Sequence, residues 1–303
     1  METPRQAGLP LIAVDIGNAR AKLGRFDPAG AGGPSCSPLT PHAQGKSQLP
    51  WPADTLSLDA RQPAFEQLAL WLRLAGRPAF SWWIGSVNRP ATTVLLDWLR
   101  KERPQDGVTL LGSADLPLAV HLPEPDKVGV DRLLDAVAAN VLREPGQPAV
   151  VVDVGTAITV DLVSADGAFC GGAILPGIAM SARALKEFTD LLPHVDVADL
   201  HEPPTPVGKS TVDAMRSGLF WYAVGAVREL ATRMTAADEM AADPSESPSA
   251  TLLITGGAGE AVAKLLGPRA RLVPHLTLAG IALTTRADTA RWSQETPPDR
   301  SVS

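Results

Sequence analysis

The sequence predicts an α/β protein built from two similar halves. Short apolar segments rich in β-branched residues, which are typical of buried strands, alternate along the chain with segments whose apolar residues recur at helical spacing. The segment Leu11–Ala19 aligns without gaps with Ala149–Ala157, and Val, Asp, Gly and Ala coincide in the two copies. Each copy is an apolar strand that ends in Asp-x-Gly and continues with a small polar residue. The second copy begins near the middle of the 303-residue chain, so each half is expected to start with the same strand and turn.

Four strands and three helices are predicted in the first half. Apolar runs place the strands at Pro10–Gly17, Ala21–Phe26, Phe80–Ser86 and Val108–Leu111. The first helix has the apolar stripe Phe65, Leu68, Leu70, Trp71 and Leu74, and the second opens at Pro90 with the stripe Val94, Leu95, Trp98 and Leu99. The third is expected over Gly129–Leu142. Residues 27–52 are crowded with Gly, Pro and Ser and predict a long surface loop.

The second half is predicted to open with a three-stranded meander, in which the repeated strand is followed by Ala157–Val163 and Phe169–Leu175. The later elements are helices over Ile178–Leu191 and Thr211–Ala236, a loop over 236–250, the strand Thr251–Thr255, a glycine-rich turn with a short helix, and a last helix over His275–Arg286. We place the boundary between the halves near Arg143–Pro148. The expected domains are an N-terminal lobe, 10–147, and a C-terminal lobe, 148–288, flanked by a disordered N-terminus, 1–9, and a flexible tail, 289–303.

Composition and charge limit the function classes. Hydrophobic residues make up 45% and charged residues 20% of the chain, as in a folded globular protein. The net charge of -6 supplies no general basic field for nucleic acid or an anionic membrane, and no segment approaches the ~18 apolar residues of a membrane helix. Met1–Pro10 lacks the apolar core of a signal peptide, and the two cysteines, Cys36 and Cys170, form neither a disulfide framework nor a CxxC site. We therefore expect a soluble cytoplasmic enzyme without nucleic-acid or membrane partners.

The two Asp-x-Gly turns, Asp15–Asn18 and Asp153–Thr156, are candidates for phosphate binding. Glycine lets the backbone approach a ligand closely, and the amides that follow can bind phosphate oxygens. The carboxylate can hold a cation that bridges the phosphates. The same pattern is also an ordinary turn after a strand. Its occurrence at matching places in two halves favours a shared nucleotide cleft.

The sequence Gly129-Val-Asp-Arg132 opens a predicted helix. An Asp in the first turn is favourable to the helix dipole, and Arg132 could pair with a neighbouring acid, so spacing alone favours a structural role. In the alternative interpretation, Asp131 is a general base and Arg132 binds an anionic substrate.

Other motifs exclude several enzyme classes. Gly208-Lys-Ser-Thr211 resembles the end of a phosphate-binding P-loop, but Pro203 stands where its first glycine is required and no strand precedes it. Gly257-Ala-Gly259 follows a strand, but Val262 replaces the third small residue of a dinucleotide fingerprint, so these glycines are better explained by close approach to an adenosine or by a loose turn. No zinc-type histidine spacing and no Gly-x-Ser-x-Gly elbow occurs.

The ordered set of motifs resembles the type III pantothenate kinases, which belong to the acetate and sugar kinase/Hsc70/actin superfamily. The motifs that carry the resemblance are Asp15-Ile-Gly-Asn18 with Lys22, Gly129-Val-Asp-Arg132, Asp153-Val-Gly-Thr-Ala157, Gly171-Gly-Ala-Ile-Leu-Pro-Gly177, Thr189-Asp-Leu-Leu-Pro193, Gly208-Lys-Ser-Thr211 and Thr255-Gly-Gly257. The resemblance spans about residues 10–286. It implies two actin-like (ribonuclease H-like) lobes, each a mixed β-sheet flanked by helices, with the active site in the cleft. It also implies ATP-dependent phosphorylation of pantothenate to 4'-phosphopantothenate, the first step of coenzyme A biosynthesis.

The resemblance also implies roles for individual residues. ATP phosphates are expected to meet the loop made of Asp15, Ile16, Gly17, Asn18, Ala19, Arg20, Ala21 and Lys22, with Asp15 near Mg²⁺, and Thr156 is expected to contact ATP. Asp131 is the expected proton acceptor, in a pantothenate site that also contains Gly129, Val130, Arg132 and Thr211. Asp153 is the expected ligand of a monovalent cation, K⁺ or NH₄⁺. The family is dimeric, so we expect a homodimer with the pantothenate site at or near the subunit interface.

The chain departs from the family pattern at two positions of the expected site. Ala19 stands where the family usually has Thr, and Leu122 where it often has Tyr. Two other functions remain open: a non-catalytic regulatory relative, of the kind that assists transcription, and another small-molecule kinase or phosphatase of the same superfamily. The presence of Asp15, Asp131, Arg132 and Asp153 favours catalysis.

Overall fold

Two five-stranded mixed sheets organise the chain, one in each of two compact units. The computed structural model describes residues 9–27, 49–197, 202–239 and 250–295. Four predicted segments lie wholly or mostly outside these ranges: residues 1–8 of the N-terminus, most of the loop 27–52, most of the loop 236–250 and the last eight residues of the tail. Among the described residues, no helix combines the length and the apolar character that crossing a membrane requires.

The sheet of the first unit has the strand order β3-β2-β1-β4-β5. Its strands are β1 (Leu11–Ile16), β2 (Arg20–Phe26), β3 (Asp54–Asp59), β4 (Ser81–Ser86) and β5 (Gly107–Leu110). The first three form an antiparallel meander, whereas β4 runs parallel to β1 and β5 parallel to β4. In this register Asp15, near the end of β1, lies opposite Lys22 of β2.

Helices cover the first sheet with apolar faces. They are α1 (Phe65–Leu74), α2 (Arg89–Glu102), the beginning of α3 (Val130–Leu142) and nearly all of α7 (Leu276–Glu295). Leu68, Trp71 and Leu72 of α1 pack with Leu95 and Leu99 of α2 in a core that includes the buried side chains of β1 and β4. The predicted stripes are correct in part, because Leu70, Leu74 and Val94 are exposed.

The sheet of the second unit has the order β10-β9-β6-β7-β8. Its strands are β6 (Ala149–Val154), β7 (Ala157–Val163), β8 (Phe169–Pro176), β9 (Thr251–Thr255) and β10 (Ala270–Leu272), and its helices are α4 (Ile178–Glu187), α5 (Thr211–Glu239) and the short α6 (Gly259–Ala263). The strands β6, β7 and β8 form an antiparallel meander, and β9 runs parallel to β6. Because β1 and β6 have the same kinds of neighbour, the predicted pair of similarly built halves, each a mixed sheet with helices, is confirmed.

The two compact units are not continuous segments of the chain. Residues 126–138 and 277–303 group with 1–117, and residues 118–125 group with 139–276. The expected division at 147/148 differs from this because α7 packs against the first sheet and against α3: a side chain at Gly280 would overlap the carbonyl oxygen of Leu134, and Leu278 approaches Gly24. The segment expected to become a flexible tail at residue 289 instead continues α7 to Glu295.

Candidate active site

The loop between β1 and β2 is a tight turn with three exposed residues at its tip. The Gly17 amide donates a hydrogen bond to the Arg20 carbonyl at 3.0 Å, which closes the turn. Asn18, Ala19 and Arg20 are exposed, whereas Ile16 and Ala21 are buried in the core. The predicted phosphate loop can therefore offer the amides and side chains of its tip, while Ile16 and Ala21 can contribute only backbone groups.

A carboxylate and an ammonium group flank this loop. Asp15 is buried at the end of β1, and its Oδ2 lies 4.0 Å from the Nζ of Lys22 on the neighbouring strand. The cross-strand register places both side chains on one face of the hairpin. The half-exposed Lys22 supplies positive charge beside the loop, as a phosphate site requires.

The backbone before α3 fixes the position of Asp131. The Gly129 carbonyl accepts a hydrogen bond from the Arg132 amide at 3.1 Å, and the same amide donates to Asp131 Oδ1 at 2.8 Å. A Cβ on residue 129 would lie only 2.5 Å from Asp131 Oδ1. Glycine is therefore required at 129 for the carboxylate to fold back over the start of the helix. Val130 is buried beside it, and Arg132 remains partly accessible.

The electrostatics of Asp131 suit a proton acceptor. Burial raises the pKa of its carboxyl above the ordinary value, and the Arg132 amide and charge, together with the charge of Lys22, oppose that rise. Lys22 thus acts on both Asp15 and Asp131. The structure therefore brings the predicted phosphate loop and the predicted base together in the first unit, with one lysine as their common charged neighbour.

In the second unit, Asp153 and Thr156 occupy the equivalent strand end and turn. The Gly155 amide closes the turn by donating to the Ala157 carbonyl at 3.0 Å, and the Thr156 carbonyl accepts from the Gly177 amide at 3.1 Å. Gly256, at φ +92°, passes so close that any side chain there would overlap Asp153 Oδ1 and the Val154 carbonyl oxygen. The sequence pattern predicts that the glycines after β9 approach an adenosine or form a loose turn. The close approach of Gly256 to the Asp153 carboxylate and the Val154 carbonyl is not predicted, because the pairing of β6 with β9 is not visible in the sequence.

Thr211, the remaining predicted site residue, also belongs to the second unit. It begins α5, after a Ser210 hydroxyl that accepts a hydrogen bond from the Asp213 amide at 3.1 Å. Thr211 lines an apolar groove of about 760 Å³ that runs between α4 and α5 and also contains Phe188 and Tyr222. We call this the α4–α5 groove. Leu122, at the position where the family often has Tyr, lies half-buried against Gly171 of β8.

Comparison with known proteins gives a consistent family assignment. A family model described as type III pantothenate kinase matches residues 11–233. A type III pantothenate kinase of Moorella thermoacetica is 32% identical over 283 residues, covering 92% of this chain and 100% of the relative. One of Rhodospirillum centenum is 38% identical over 180 residues, 58% of this chain and 64% of the relative.

A solved structure, the ethanolamine utilization protein EutJ from Carboxydothermus hydrogenoformans, aligns with a TM-score of 0.48 at 16% identity and covers 94% of this chain and 92% of its own. The family model spans most of the chain, and the Moorella relative aligns over its whole length. The chain therefore belongs to the type III pantothenate kinase family.

Proposed function

We propose that this protein transfers the γ-phosphoryl group of ATP to the primary hydroxyl of pantothenate and so makes 4'-phosphopantothenate for coenzyme A biosynthesis. The observation that carries the proposal is the position of Lys22, which lies 4.0 Å from Asp15 and acts electrostatically on Asp131. A phosphate-binding lysine and a candidate base that share one neighbourhood are what phosphoryl transfer to an alcohol requires. We expect the reaction to take place in the cytoplasm.

In the proposed reaction, the deprotonated carboxylate of Asp131 accepts the hydroxyl proton as the pantothenate oxygen attacks the γ-phosphorus. The bond from that phosphorus to the β–γ bridging oxygen breaks, and ADP leaves. Lys22 and the amides at the tip of the β1–β2 loop stabilise negative charge on the phosphate oxygens. Arg132 is available to the pantothenate carboxylate, and a positioned base of this kind contributes about 10²–10⁴-fold to the rate.

Two cation sites are part of the proposal, and the chain offers suitable oxygen ligands for both. Asp15 would hold Mg²⁺ beside the phosphate loop, because a carboxylate at a strand end is a hard oxygen donor. Asp153 would hold K⁺ or NH₄⁺ together with carbonyl oxygens such as that of Val154, which lies beside it against the backbone of Gly256. When bound, the cations would neutralise phosphate charge. Thr156 is the proposed ATP contact in the same turn, and Thr211 the proposed pantothenate contact.

We also propose a homodimer that buries the α4–α5 groove. Phe188 and Leu191 are 84% and 88% exposed, and Tyr222 is partly exposed in the groove. Large apolar side chains left together in solvent are typical of protein interfaces. Because Thr211 lines the same groove, this observation supports a pantothenate contact at or near the subunit interface.

The test is pantothenate-dependent ADP release with Mg²⁺, measured in potassium, ammonium and sodium salts for the wild type and for Asp131→Asn. We expect turnover that requires pantothenate and either potassium or ammonium, and a fall in kcat of about 10²–10⁴-fold in the variant. A folded protein that releases no pantothenate-dependent ADP under any cation would contradict the proposal and favour a regulatory relative. Turnover with a different alcohol alone would favour another kinase of the superfamily.

A further inference from the structure

Asn88 connects the β1–β2 loop to the first turn of α2. Its side-chain Nδ2 donates a hydrogen bond to the Gly17 carbonyl oxygen at 3.2 Å, across 71 positions of sequence. Its Oδ1 accepts a hydrogen bond from the Ala91 amide at 3.2 Å and so caps α2. Both contacts lie within the first unit. The amide group of the half-buried Asn88 thus links the first turn of α2 to the predicted phosphate loop.

The hydrogen-bond network determines which way this amide points. The Ala91 amide can only donate, so the oxygen of Asn88 must face it, and the Gly17 carbonyl can only accept, so the nitrogen must face that side. An ionised Asp at this position would keep the cap but would have no donor for Gly17. A Ser would also keep the cap, but its side chain is shorter than that of Asn and has one hydroxyl, so it could not reach Gly17 while it caps the helix.

The backbone around Asn88 is held from several directions. The Val87 amide donates to the Ile16 carbonyl at 3.0 Å, and the Asn88 amide donates to Ser86 Oγ at 3.0 Å. The Thr92 hydroxyl donates to Ser86 Oγ at 2.6 Å. These bonds fix the end of β4 next to the end of β1, so the Asn88 side chain has a rigid base from which to hold Gly17.

The contact with Gly17 controls more than one atom of the loop. The Gly17 carbonyl and the Asn18 amide belong to the same planar trans peptide, so they point in opposite directions. A bond that holds the carbonyl therefore also sets the direction of the Asn18 N–H. The Gly17 amide is held on its other side by the Arg20 carbonyl at 3.0 Å.

We propose that Asn88 is a positioning residue for phosphoryl transfer: it holds the Gly17 carbonyl so that the Asn18 amide at the loop tip is aimed at an ATP phosphate. This inference rests on the proposed function. Asn88 acts through the backbone of the loop, and its main effect is on the affinity for nucleotide. No local sequence pattern marks Asn88, because the contact joins two strand ends that are adjacent only in the folded sheet.

The test uses Asn88→Asp and Asn88→Ser, which keep a good helix cap, since Asn, Asp and Ser are about equally effective at that position. Because the cap remains and only the bond to Gly17 is lost, we expect both variants to stay folded with a small fall in Tm. Each should weaken the binding of Mg·ATP by about tenfold, as loss of one hydrogen bond to a preorganised site implies. The KM for ATP should rise by a similar factor, while the KM for pantothenate changes little. Mg·ATP affinity is measured directly by calorimetric titration.

Ala91→Gly is the matched control, because it weakens the same turn of α2 but leaves both hydrogen bonds of Asn88 possible. Wild-type nucleotide affinity in both Asn88 variants, or an equal loss of affinity in Ala91→Gly, would overturn the inference. If the wild type binds Mg·ATP but does not phosphorylate pantothenate, the proposed function fails. The Mg·ATP affinities of the two Asn88 variants and of Ala91→Gly, relative to the wild type, then still decide the role of Asn88. A wild type that binds no nucleotide overturns both proposals.

Discussion

Asp131 lies in the first turn of α3, where burial raises the pKa of its carboxyl while Lys22 and the Arg132 amide lower it. As the proposed base, Asp131 must be ionised, so the activity should be lost as the pH falls through a pKa that lies above the ordinary carboxyl value of about 3.9. We therefore expect the acid limb of kcat/KM for pantothenate above that value. The measurement is the pH profile of the wild type, with circular dichroism at each pH to confirm folding. An acid limb at or below the ordinary value would contradict this cause.

The same raised pKa predicts a cost in stability. A carboxyl whose pKa is raised by folding binds protons more tightly in the folded state, so the free energy of unfolding falls as the pH rises from its ordinary pKa through its raised one. At pH 7, Asp131→Asn should therefore have a higher Tm than the wild type, and the difference should shrink as the pH approaches 4. The measurement is calorimetric melting at both pH values. Glu202→Gln, which removes one exposed carboxylate, is the control for the loss of one negative charge.

Gly129 provides a second test of how the proposed base, Asp131, is positioned. In Gly129→Ala, the new Cβ would lie 2.5 Å from Asp131 Oδ1, so the carboxylate must move. Small displacements of a reacting group can cost on the order of 10²-fold in rate, and we expect kcat to fall by about 10–100-fold. Gly107→Ala is the control, because nothing lies within 4 Å of a Cβ there. Steady-state kinetics of both variants make the comparison, and equal effects would refute the role assigned to Gly129.

At the scale of elements, the sequence predicted what hydrophobic burial controls. Strands β1, β4, β6 and β9 are largely buried and were visible as apolar runs. Strand β3 was not predicted, because it lies at the edge of its sheet and Leu58 is its only buried residue. Strand β10 was not predicted either, because it has only three residues, all half-buried. The helix α4 ends at Glu187, four residues before the predicted end, and Phe188 and Leu191, which the prediction included in the helix, are exposed.

The candidate active site could likewise be predicted only where it depends on local sequence pattern. The strand ends that carry Asp15 and Asp153 follow from local pattern, and the start of α3 follows from Gly129. The contacts of Gly256 with Asp153 and of Asn88 with Gly17 depend on strand pairing between distant segments. Local periodicity carries no information on such pairing, so sequence reasoning could not find them.

The helix that carries Asp131 is held to α7 by a buried hydrogen bond. The Thr277 hydroxyl donates to Asp135 Oδ1 at 2.8 Å, and both side chains are buried in the first unit. In Thr277→Val the carboxylate loses this bond at nearly constant side-chain shape, and we expect a loss of about 1–3 kcal/mol in the free energy of unfolding. Urea denaturation measures it. Thr93→Val, an exposed hydroxyl on α2, is the control, and an equal loss there would contradict the explanation.

At the scale of the whole molecule, the repeat in the sequence corresponds to a repeat of sheet topology. In each unit the first strand lies between an antiparallel partner that follows directly and a parallel partner from later in the chain. The two units differ in what surrounds that common sheet. The second unit carries the long helix α5 and the exposed α4–α5 groove, so the proposed self-association is specific to one copy of the repeat.

The proposed homodimer leads to a prediction about the oligomeric state of a groove variant in solution. Phe188→Asp places a charge in the α4–α5 groove, where it would have to be buried without a known partner on association. If the groove is the interface, the wild type should sediment as a dimer and Phe188→Asp should shift toward monomer, with a rise in the dimer dissociation constant of at least about 30-fold, as for an interface residue worth 2 kcal/mol or more. Leu74→Asp is the matched control, because Leu74 is 79% exposed on α1 of the other unit, and it should remain dimeric. A monomeric wild type, or a Leu74→Asp protein that dissociates as readily as Phe188→Asp, would show that the groove is not the interface.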